Sequence, residues 1–332
     1  MRVVMLGHSG VGKTTYMASL YSAMQQSVDG FRLRAVNDND HRYWLSTAAE
    51  INNGKYPPPT DQSQEYQFYL RYLGSNVLQF TWSDYRGGAL RESKDSQQAQ
   101  ALLQDLKAAD GIMLFFDGDA LARGSQRSHQ VGRMISLTTQ ALQDLERPMS
   151  LAIVLTKMDL IAVIQSDHLQ SLSGLISAIN VSNSVFGALI PIACGLQLRN
   201  VSMPLLFSLH AAVLFQYTNV HTDLRASEQW ATAYEEKSRG VGGALDWMVS
   251  RWNSEPTFGD LAKQQQEKVA AKRQEFKQIQ DPAFSLGRYV EQLPLIKPKL
   301  ELLDYVQQIN QVQQGVRSDE IKPSDPFSIF DS

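Results

Sequence analysis

The feature that most constrains the fold is an eight-residue pattern close to the first residue of the sequence. It matches G-x-x-x-x-G-K-[ST] at every fixed position and reads Gly7-His8-Ser9-Gly10-Val11-Gly12-Lys13-Thr14. An apolar run (residues 2–6) precedes it, and helically spaced apolar residues (14–26) follow it, which is the context that this motif requires. Glycines let backbone N–H groups face an anion, and a helix start adds the positive end of its dipole. The pattern therefore predicts a phosphate-binding loop between a strand and a helix.

Side chains within this loop have distinct predicted roles. Lys13 is expected to reach the β- and γ-phosphates of a nucleotide, and the Thr14 hydroxyl is expected to ligate Mg²⁺. The set of nucleotide-binding residues is expected to extend along the loop to Thr15.

Strand and helix patterns alternate along the first two thirds of the chain. Predicted strands cover residues 2–6, a hairpin with a turn at 74–76, and 112–116, 151–155 and 185–193; predicted helices cover 14–26, 41–53, 96–108, 125–145 and 160–179. Asp38 and Asp40 are the expected N-caps of the second helix. The alternation predicts an α/β fold, with a three-layer, mostly parallel sheet and one antiparallel edge strand from the hairpin.

Three regions are expected: a nucleotide-binding domain at 1–218, a helical extension at 219–316 and a disordered polar tail at 317–332. No convincing strand pattern appears after residue 221. Two apolar stripes with spacings near 3.5 residues mark the extension, namely Phe258, Ala262, Val269, Phe276, Ile279 and Leu302, Val306, Ile309, Val312. These helices pair with each other or with a partner, or they pack on the α/β domain.

Composition excludes several classes of protein. The formal net charge of −3 disfavours a dedicated nucleic-acid binder. The one cysteine, Cys194, excludes an internal disulfide framework and a multi-cysteine zinc site, and it fits a reducing cytoplasm. The most apolar helical run, residues 203–215, is too short to cross a bilayer, and no lipidation motif is present. We expect a cytoplasmic protein without direct membrane insertion.

A second motif follows the predicted hairpin, in Asp84-Tyr85-Arg86-Gly87-Gly88. Asp84 ends a predicted strand, where ligands bind in open α/β sheets, and a carboxylate there can hold Mg²⁺ through its water shell. Gly87 leaves its backbone N–H accessible to a γ-phosphate. The pattern D-x-x-G is weak alone and gains weight from its position between the phosphate loop and the next element.

A third motif, Thr156-Lys157-Met158-Asp159, follows the predicted strand 151–155. A carboxylate at Asp159 can accept hydrogen bonds from N1 and the 2-amino group of guanine, a donor pair that adenine lacks. The stem of Lys157 can cover the base plane. Taken alone, Asp159 would be interpreted more readily as an ordinary helix N-cap. Ala193 and Cys194, at the end of the last predicted strand, are small enough for a backbone N–H to reach the guanine oxygen.

These motifs together resemble those of the Ras-like P-loop GTPases of the TRAFAC class, over about residues 1–217. The wide spacing after the first helix and the sequence at 84–88 are most similar to the bacterial double-GTPase group and its conflict-system relatives. The resemblance implies bound GTP or GDP, Mg²⁺ and hydrolysis of GTP. It also implies a switch threonine that ligates Mg²⁺, for which Thr60 is the best match; an ordinary loop threonine after prolines is the alternative.

Two departures bear on the rate of hydrolysis. Gly88 stands where many Ras-like proteins have a glutamine that orients the attacking water. Ser9 stands where glycine is common in the Ras family. Both predict slow hydrolysis, completed by the arginine of a protein activator or by a second copy bound through the helical extension. A protein effector is also expected. The alternatives are a non-catalytic GTP-binding adaptor and an ATPase that uses the same loop.

Overall fold

The structure is a computed structural model that describes residues 1–58, 63–85, 97–124, 128–143, 145, 147–194, 197–238, 256–298 and 300–314. The side chains of residues 98 and 128–130 are outside this description.

The described strands form one sheet in the order β2-β3-β4-β1-β5-β6-β7-β8. They are β1 (Arg2–Gly7), β2 (Phe31–Ala35), β3 (Gln64–Tyr72), β4 (Ser75–Asp84), β5 (Gly111–Asp117), β6 (Met149–Thr156), β7 (Val185–Pro191) and β8 (Leu295–Ile296). Strands β4, β1, β5, β6 and β7 are parallel to one another, whereas β3 is antiparallel to β2 and β4, and β8 is antiparallel to β7. The carboxyl ends of β1, β4, β5, β6 and β7 therefore share one edge of the sheet.

The described α-helices follow and connect these strands. They are α1 (Lys13–Ala23), α2 (Asp38–Asn52), α3 (Gln97–Ala108), α4 (Gly118–Ala122), α5 (Ser128–Leu142), α6 (Ser166–Leu169), α7 (Ser173–Asn180), α8 (Met203–Ser238), α9 (Phe258–Val290) and α10 (Leu302–Gln313). Short 3-10 turns cover Met158–Leu160 and Gln170–Leu172.

The central strands are apolar on both faces because helices cover both sides of the sheet. Every residue of β6 is buried, as are the first six residues of β5. On one face, Leu114 and Ile153 belong to a core that includes α3, α5, α7 and α10. On the other face, the Tyr16 ring of α1 lies 5.0 Å from that of Phe115. A Cβ atom on Gly111 would lie 2.1 Å from the Ser208 carbonyl oxygen, so α8 packs directly on the β5 backbone there.

Contacts divide the chain into two compact units. One unit holds Met1–Ala212 together with the described residues from Ser285 onward, and the other is Val213–Phe284. In the second unit, α8 and α9 run antiparallel, because Glu228 pairs with Arg273 while Tyr234 stacks on Phe258. Its apolar seam contains Leu224, Ala231, Val269 and Phe276.

The predicted fold class is confirmed, with differences in detail. The structure contains β2, which the sequence did not indicate, so the antiparallel strand β3 lies one position inside the edge. The absence of strands after residue 221 was wrong, since β8 pairs with β7. The single helix expected at 160–179 is broken into α6, a 3-10 turn and α7. The N-cap of α2 is Asn37, whose side chain accepts from the Asn39 N–H, rather than Asp38 or Asp40.

The two C-terminal stripes have different partners. The stripe that begins at Phe258 pairs α9 with α8 within the second unit. The stripe that begins at Leu302 belongs to the α/β core instead, where Tyr305, Val306 and Ile309 are buried. The expectation of a disordered tail at 317–332 falls outside the described residues.

Candidate functional site

The loop between β1 and α1 has the backbone shape that its glycines permit. Gly10 and Gly12 have φ values of 80° and 96°, in the left-handed region that side chains disfavour. Gly7 ends β1 against β5, where a Cβ atom would lie 2.8 Å from Phe115 Cβ. Glycine is required at these positions by backbone geometry and by packing.

The N-terminus of α1 is open toward this loop. The helix begins at Lys13, its N-cap Gly12 supplies no side-chain cap, and its first turn contains no acidic residue. The amide groups of a first turn have no partner within the helix, and the helix dipole favours negative charge at that end. The arrangement suits an anion such as a nucleotide phosphate.

Lys13 is buried and is held in the loop. Its Nζ donates to the Gly7 carbonyl oxygen at 2.9 Å and lies 3.8 Å from Oδ1 of Asp84, which is an ion-pair distance too long for a hydrogen bond. Burial lowers the pKa of Lys13, and the nearby Asp84 charge opposes this shift. Burial likewise raises the pKa of Asp84 to about 6, against the opposing effect of Lys13. Lys13 and Asp84 are thus buried next to each other, and each can interact strongly with a charged ligand.

Asp84 has the environment expected of a residue that holds a hydrated cation. It ends β4 opposite Met5 of β1, and its buried Oδ1 has no hydrogen-bond partner among the described residues. The described residues contain no cluster of three or more His, Cys, Asp or Glu side chains that could bind a metal unaided. A Mg²⁺ ion here would depend on Thr14, Asp84, water and phosphate oxygens, a donor set that fits this ion.

A cavity of about 430 Å³ brings the phosphate loop and the predicted base-binding residues together. Most of the predicted residues line it, namely His8, Ser9, Gly10, Gly12, Lys13, Thr14, Thr15, Thr156, Lys157, Asp159 and Cys194. Among the described residues, the predicted ones that do not line the cavity are Gly7, Val11, Asp84 and Ala193. The phosphate and base motifs, separated by more than 140 residues in sequence, therefore share one site.

Thr156 connects the two motifs directly. Its buried hydroxyl lies 2.8 Å from the Val11 carbonyl oxygen and 3.1 Å from that of Phe116. It can donate to one of these acceptors at a time. Thr156 therefore ties the phosphate loop to the ends of β5 and β6.

Lys157 is anchored by Asp117, a residue that no sequence motif indicated. Its Nζ donates to Oδ2 of Asp117 at 2.6 Å, and Oδ1 of Asp117 accepts from the Ala120 N–H at the start of α4. Lys157 also has a left-handed φ of 58°. The strained backbone and the ion pair together fix the direction of the lysine stem.

Asp159 is exposed and lies in the 3-10 turn Met158–Leu160. It does not occupy the N-cap position of this turn, which is Lys157. Among the described residues its carboxylate accepts no hydrogen bond, so both oxygens are available to a ligand in the cavity.

The residues after β7 differ in their placement. The Ala193 N–H donates to the Arg199 carbonyl oxygen at 3.1 Å, so that amide is already engaged. Cys194 lines the cavity, and burial and the charge of Asp159 raise the pKa of its thiol. Of the pair, Cys194 is the one that lines the cavity together with Lys157 and Asp159.

Two further groups of residues belong to the site and were missed. Tyr56, Pro57 and Pro58 line the cavity, and no sequence motif indicated them. From α10, Gln313 Nε2 donates to the Met158 and Ile161 carbonyl oxygens at 2.8 and 2.9 Å. Bonds from a side chain to distant backbone leave no sequence pattern.

Several predicted residues lie outside the described part of the chain. They are Thr60, the proposed switch threonine, and Arg86, Gly87 and Gly88 after β4. Among the described residues, no helix combines the length and apolarity needed to cross a bilayer.

Three solved structures show limited similarity to the chain. A bacterial selenocysteine-specific elongation factor has 14% identity and a TM-score of 0.31 over 58% of this chain and 25% of its own. A putative nucleolar GTP-binding protein 1 from Plasmodium falciparum has 14% identity and a TM-score of 0.38, over 69% of this chain and 92% of its own. The GTPase-like domain of S. cerevisiae Ski7, bound to GTP, has 14% identity and a TM-score of 0.38, over 59% of this chain and 43% of its own. The chain thus spans a quarter of the elongation factor. No curated protein matches the sequence.

A family model described as Double-GTPase 2 matches residues 2–186. The matched segment includes the phosphate loop, Asp84, Asp117 and the motif from Thr156 to Asp159. It covers more than half of the 332 residues, and the chain belongs to the Double-GTPase 2 family of GTP-binding proteins.

Proposed function

We propose that the protein hydrolyses GTP to GDP slowly, with Mg²⁺ as cofactor, and that a protein partner responds to the bound nucleotide. The observation that carries this proposal is the shared cavity, which is lined both by the uncapped first turn of α1 and by Asp159. A nucleotide in that cavity would place its phosphates against the loop and its base beside Asp159.

The phosphate side supplies fixed positive charge. Lys13 and the loop amides would hold the β- and γ-phosphates, because a buried ammonium and preorganised N–H groups stabilise charge that develops during phosphoryl transfer. Thr14 and Asp84 would hold Mg²⁺, which when bound withdraws charge from the phosphates. Thr60 and the Gly87 amide are proposed to contact the γ-phosphate and the ion.

The base side supplies selectivity. Asp159 would accept from N1 and the 2-amino group of guanine, and its carboxylate is exposed to the cavity for this purpose. Lys157, held by Asp117, would lie along the base, and Thr156 would fix the distance between the base and phosphate motifs.

Replacement of Asp159 by asparagine tests the base assignment. Asp159→Asn should bind GTP at least tenfold more weakly and gain affinity for xanthosine triphosphate, whose base exchanges a donor for an acceptor. Calorimetric titration of nucleotide-free protein with GTP, GDP, ATP and xanthosine triphosphate measures this. Asp281→Asn, at an exposed residue of α9, is the matched control and should change nothing. Unchanged GTP affinity in Asp159→Asn, or equal affinity for ATP, would contradict guanine selection.

Single-turnover hydrolysis tests the catalytic assignment. With Gly88 in place of a water-orienting glutamine, we expect a rate constant on the order of 10⁻³ s⁻¹ or lower, since unstimulated members of this class are that slow. Cell extract should accelerate it if a partner supplies the missing group. A rate that stays at the buffer background with and without extract would favour a GTP-binding adaptor, which Ser9 and Gly88 also suit.

The proposal includes a protein partner and a cytoplasmic location. A protein effector or activator would recognise the nucleotide state, and the unit Val213–Phe284 could join two copies of the chain. The single cysteine and the charge of −3 support a reducing cytoplasm and argue against nucleic acid as the partner. Light scattering of the GDP-bound and GTP-bound forms would detect a nucleotide-dependent dimer.

A further inference from the structure

Strand β2 presents arginines on one face and apolar residues on the other. Phe31, Leu33 and Ala35 are at most 3% exposed, whereas Arg32 and Arg34 between them are exposed. Alternation places both arginine side chains on the same face of the strand. This face carries two positive charges within one short strand.

A third arginine lies directly opposite the first. In the β2–β3 ladder Arg32 pairs with Arg71, and Arg34 pairs with Tyr69. Cα atoms of directly opposed residues are about 5 Å apart, and like charges in such a pair destabilise a sheet. The pair therefore has a free-energy cost unless an anion lies between the two guanidinium groups.

The three arginines line one concave site of about 320 Å³. His41 also lines it, and Asp38 is the one acidic side chain among its lining residues. Positive charge is thus in excess within the site, although the chain as a whole carries a formal charge of −3.

None of these arginines forms an ion pair with another described residue. Arg32 and Arg34 make no hydrogen bond either within the described residues, and Arg71 donates from Nη2 to the Gly74 carbonyl oxygen. The Arg71 Nε atom is buried and has no partner among those residues. A buried, unpartnered donor on a charged group is costly, which points to a missing acceptor.

The backbone of β2 already has its partners on the outer edge. The Leu33 N–H donates to the Met24 carbonyl oxygen at 3.2 Å, and its carbonyl accepts from Gln25 Nε2 at 3.1 Å. The Ala35 N–H donates to the Tyr21 hydroxyl at 3.2 Å. A partner strand therefore could not extend the sheet here, and the side-chain charge is what remains for recognition.

We propose that Arg32, Arg34 and Arg71 bind the phosphate group of a phosphorylated ligand, at a site separate from the nucleotide cavity. Guanidinium groups bind phosphate oxygens through paired N–H donors, and a phosphate dianion can engage several of them at once. Three guanidinium groups carry more positive charge than a single carboxylate can neutralise. The ligand is a phosphate monoester or diphosphate, either free in solution or on a lipid headgroup.

Inorganic pyrophosphate is the probe, titrated calorimetrically into the full chain saturated with GDP and Mg²⁺. The wild type should bind it, and Arg32→Gln/Arg34→Gln/Arg71→Gln should bind it at least tenfold more weakly. Arg42→Gln, an exposed arginine of α2 that does not line the site, is the matched control and should bind as the wild type does. If the triple variant does not fold, Arg32→Gln/Arg34→Gln replaces it, since both side chains are exposed.

A Lys13→Ala background separates this site from the phosphate loop. Pyrophosphate binding that survives Lys13→Ala and disappears in the arginine variants supports the proposal, whether or not the chain binds GDP. Binding that disappears with Lys13→Ala, no binding to the wild type, or equal binding to the triple variant would overturn it. GDP affinity, measured separately, should be unchanged in the arginine variants.

Flotation with phosphatidylcholine vesicles containing phosphatidic acid distinguishes the two sources. Flotation that pyrophosphate competes away and that the arginine variants lose identifies a lipid headgroup. Pyrophosphate binding without flotation identifies a soluble phosphorylated ligand. Both results support the phosphate site.

Discussion

Asn310 and Ile164 are joined by two hydrogen bonds although 146 residues separate them. Asn310 Oδ1 accepts from the Ile164 N–H at 3.0 Å, and its Nδ2 donates to the Ile164 carbonyl oxygen at 3.1 Å. One helical turn further along α10, Gln313 Nε2 donates to the Met158 and Ile161 carbonyl oxygens. The last described helix therefore holds both ends of the segment that carries Asp159.

Removing the Gln313 side chain should weaken guanine nucleotide binding. Gln313→Ala leaves the Met158 and Ile161 carbonyl groups without this partner, and each lost hydrogen bond costs about 1 kcal/mol. If this cost reduces the order of the turn around Asp159, the dissociation constant for GDP should rise about tenfold. Fluorescence titration with a labelled GDP measures it. Gln307→Ala, at an exposed glutamine of the same helix, should leave it unchanged; equal loss in both variants would show a general effect of α10.

The Thr156 hydroxyl should matter through the phosphate loop. Thr156→Val keeps the shape of the side chain but removes the donor to the Val11 carbonyl oxygen. We expect five- to twentyfold weaker GDP binding, corresponding to about 1 to 2 kcal/mol for a buried hydrogen bond. Thr138→Val is the matched control, because the Thr138 hydroxyl is buried with no partner among the described residues. That variant should keep GDP affinity and at least the wild-type melting temperature, and a loss in Thr138→Val alone would refute the assignment.

Asp117 should influence base selection without contacting the base cavity. Asp117→Asn removes the ion pair with Lys157, whose left-handed backbone then loses its anchor. We expect the preference for GDP over inosine diphosphate and ADP to fall several-fold, with a small change in melting temperature. Competition binding with the three nucleotides measures the preference. Asp119→Asn, which removes the surface pair with Arg123, should leave it intact, and so an unchanged preference in Asp117→Asn would contradict the positioning role.

His210 should make stability depend on pH. Its ring is buried in α8, neither nitrogen has a partner among the described residues, and burial lowers its pKa from 6.5 to about 4. Between pH 4 and pH 6.5, His210 therefore binds a proton in the unfolded chain but stays neutral in the folded chain. The contribution of neutral His210 to the free energy of unfolding is present above pH 6.5. It is lost as the pH drops toward 4, and the loss is roughly 2 kcal/mol at pH 5.

Chemical unfolding of the wild type and of His210→Leu at pH 7.5 and pH 5 tests this. The difference in free energy of unfolding between the two pH values should shrink by roughly 2 kcal/mol in the variant, since leucine takes no proton. His221→Leu, on the same helix, is the control and should not reduce the difference. An equal pH dependence in wild type and His210→Leu would show that other groups cause it.

The parts of the fold that local patterns encode were predictable. The phosphate loop, the hairpin and the buried strands β5 and β6 have short, regular signatures, and they define the fold class. Strand β2 was not predicted because its alternation is only five residues long, with Arg32 and Arg34 at the exposed positions. Its stability comes from pairing with β3, which is distant in sequence, and from hydrogen bonds to Met24 and Gln25 just after α1.

The site shows the same division between local and distant information. We could predict Lys13, Asp84 and Asp159 as site residues because each belongs to a local sequence motif with a known chemical role. The partners that position them could not, because Asp117, Asn310 and Gln313 act through single contacts across the fold. The spacing of Leu302, Val306 and Ile309 indicated a helix without indicating which surface it covers, and that surface is the α/β core.

The position of α10 in the chain has a consequence for synthesis. A ribosome makes the phosphate loop first and the segment around Asp159 about 145 residues later, yet Gln313 emerges only after a further 150 or so. Until then the Met158 and Ile161 carbonyl groups lack the donor that holds them. The phosphate-binding loop would therefore form before the hydrogen bonds that order the segment carrying Asp159, so full affinity for the base would require the synthesis of α10.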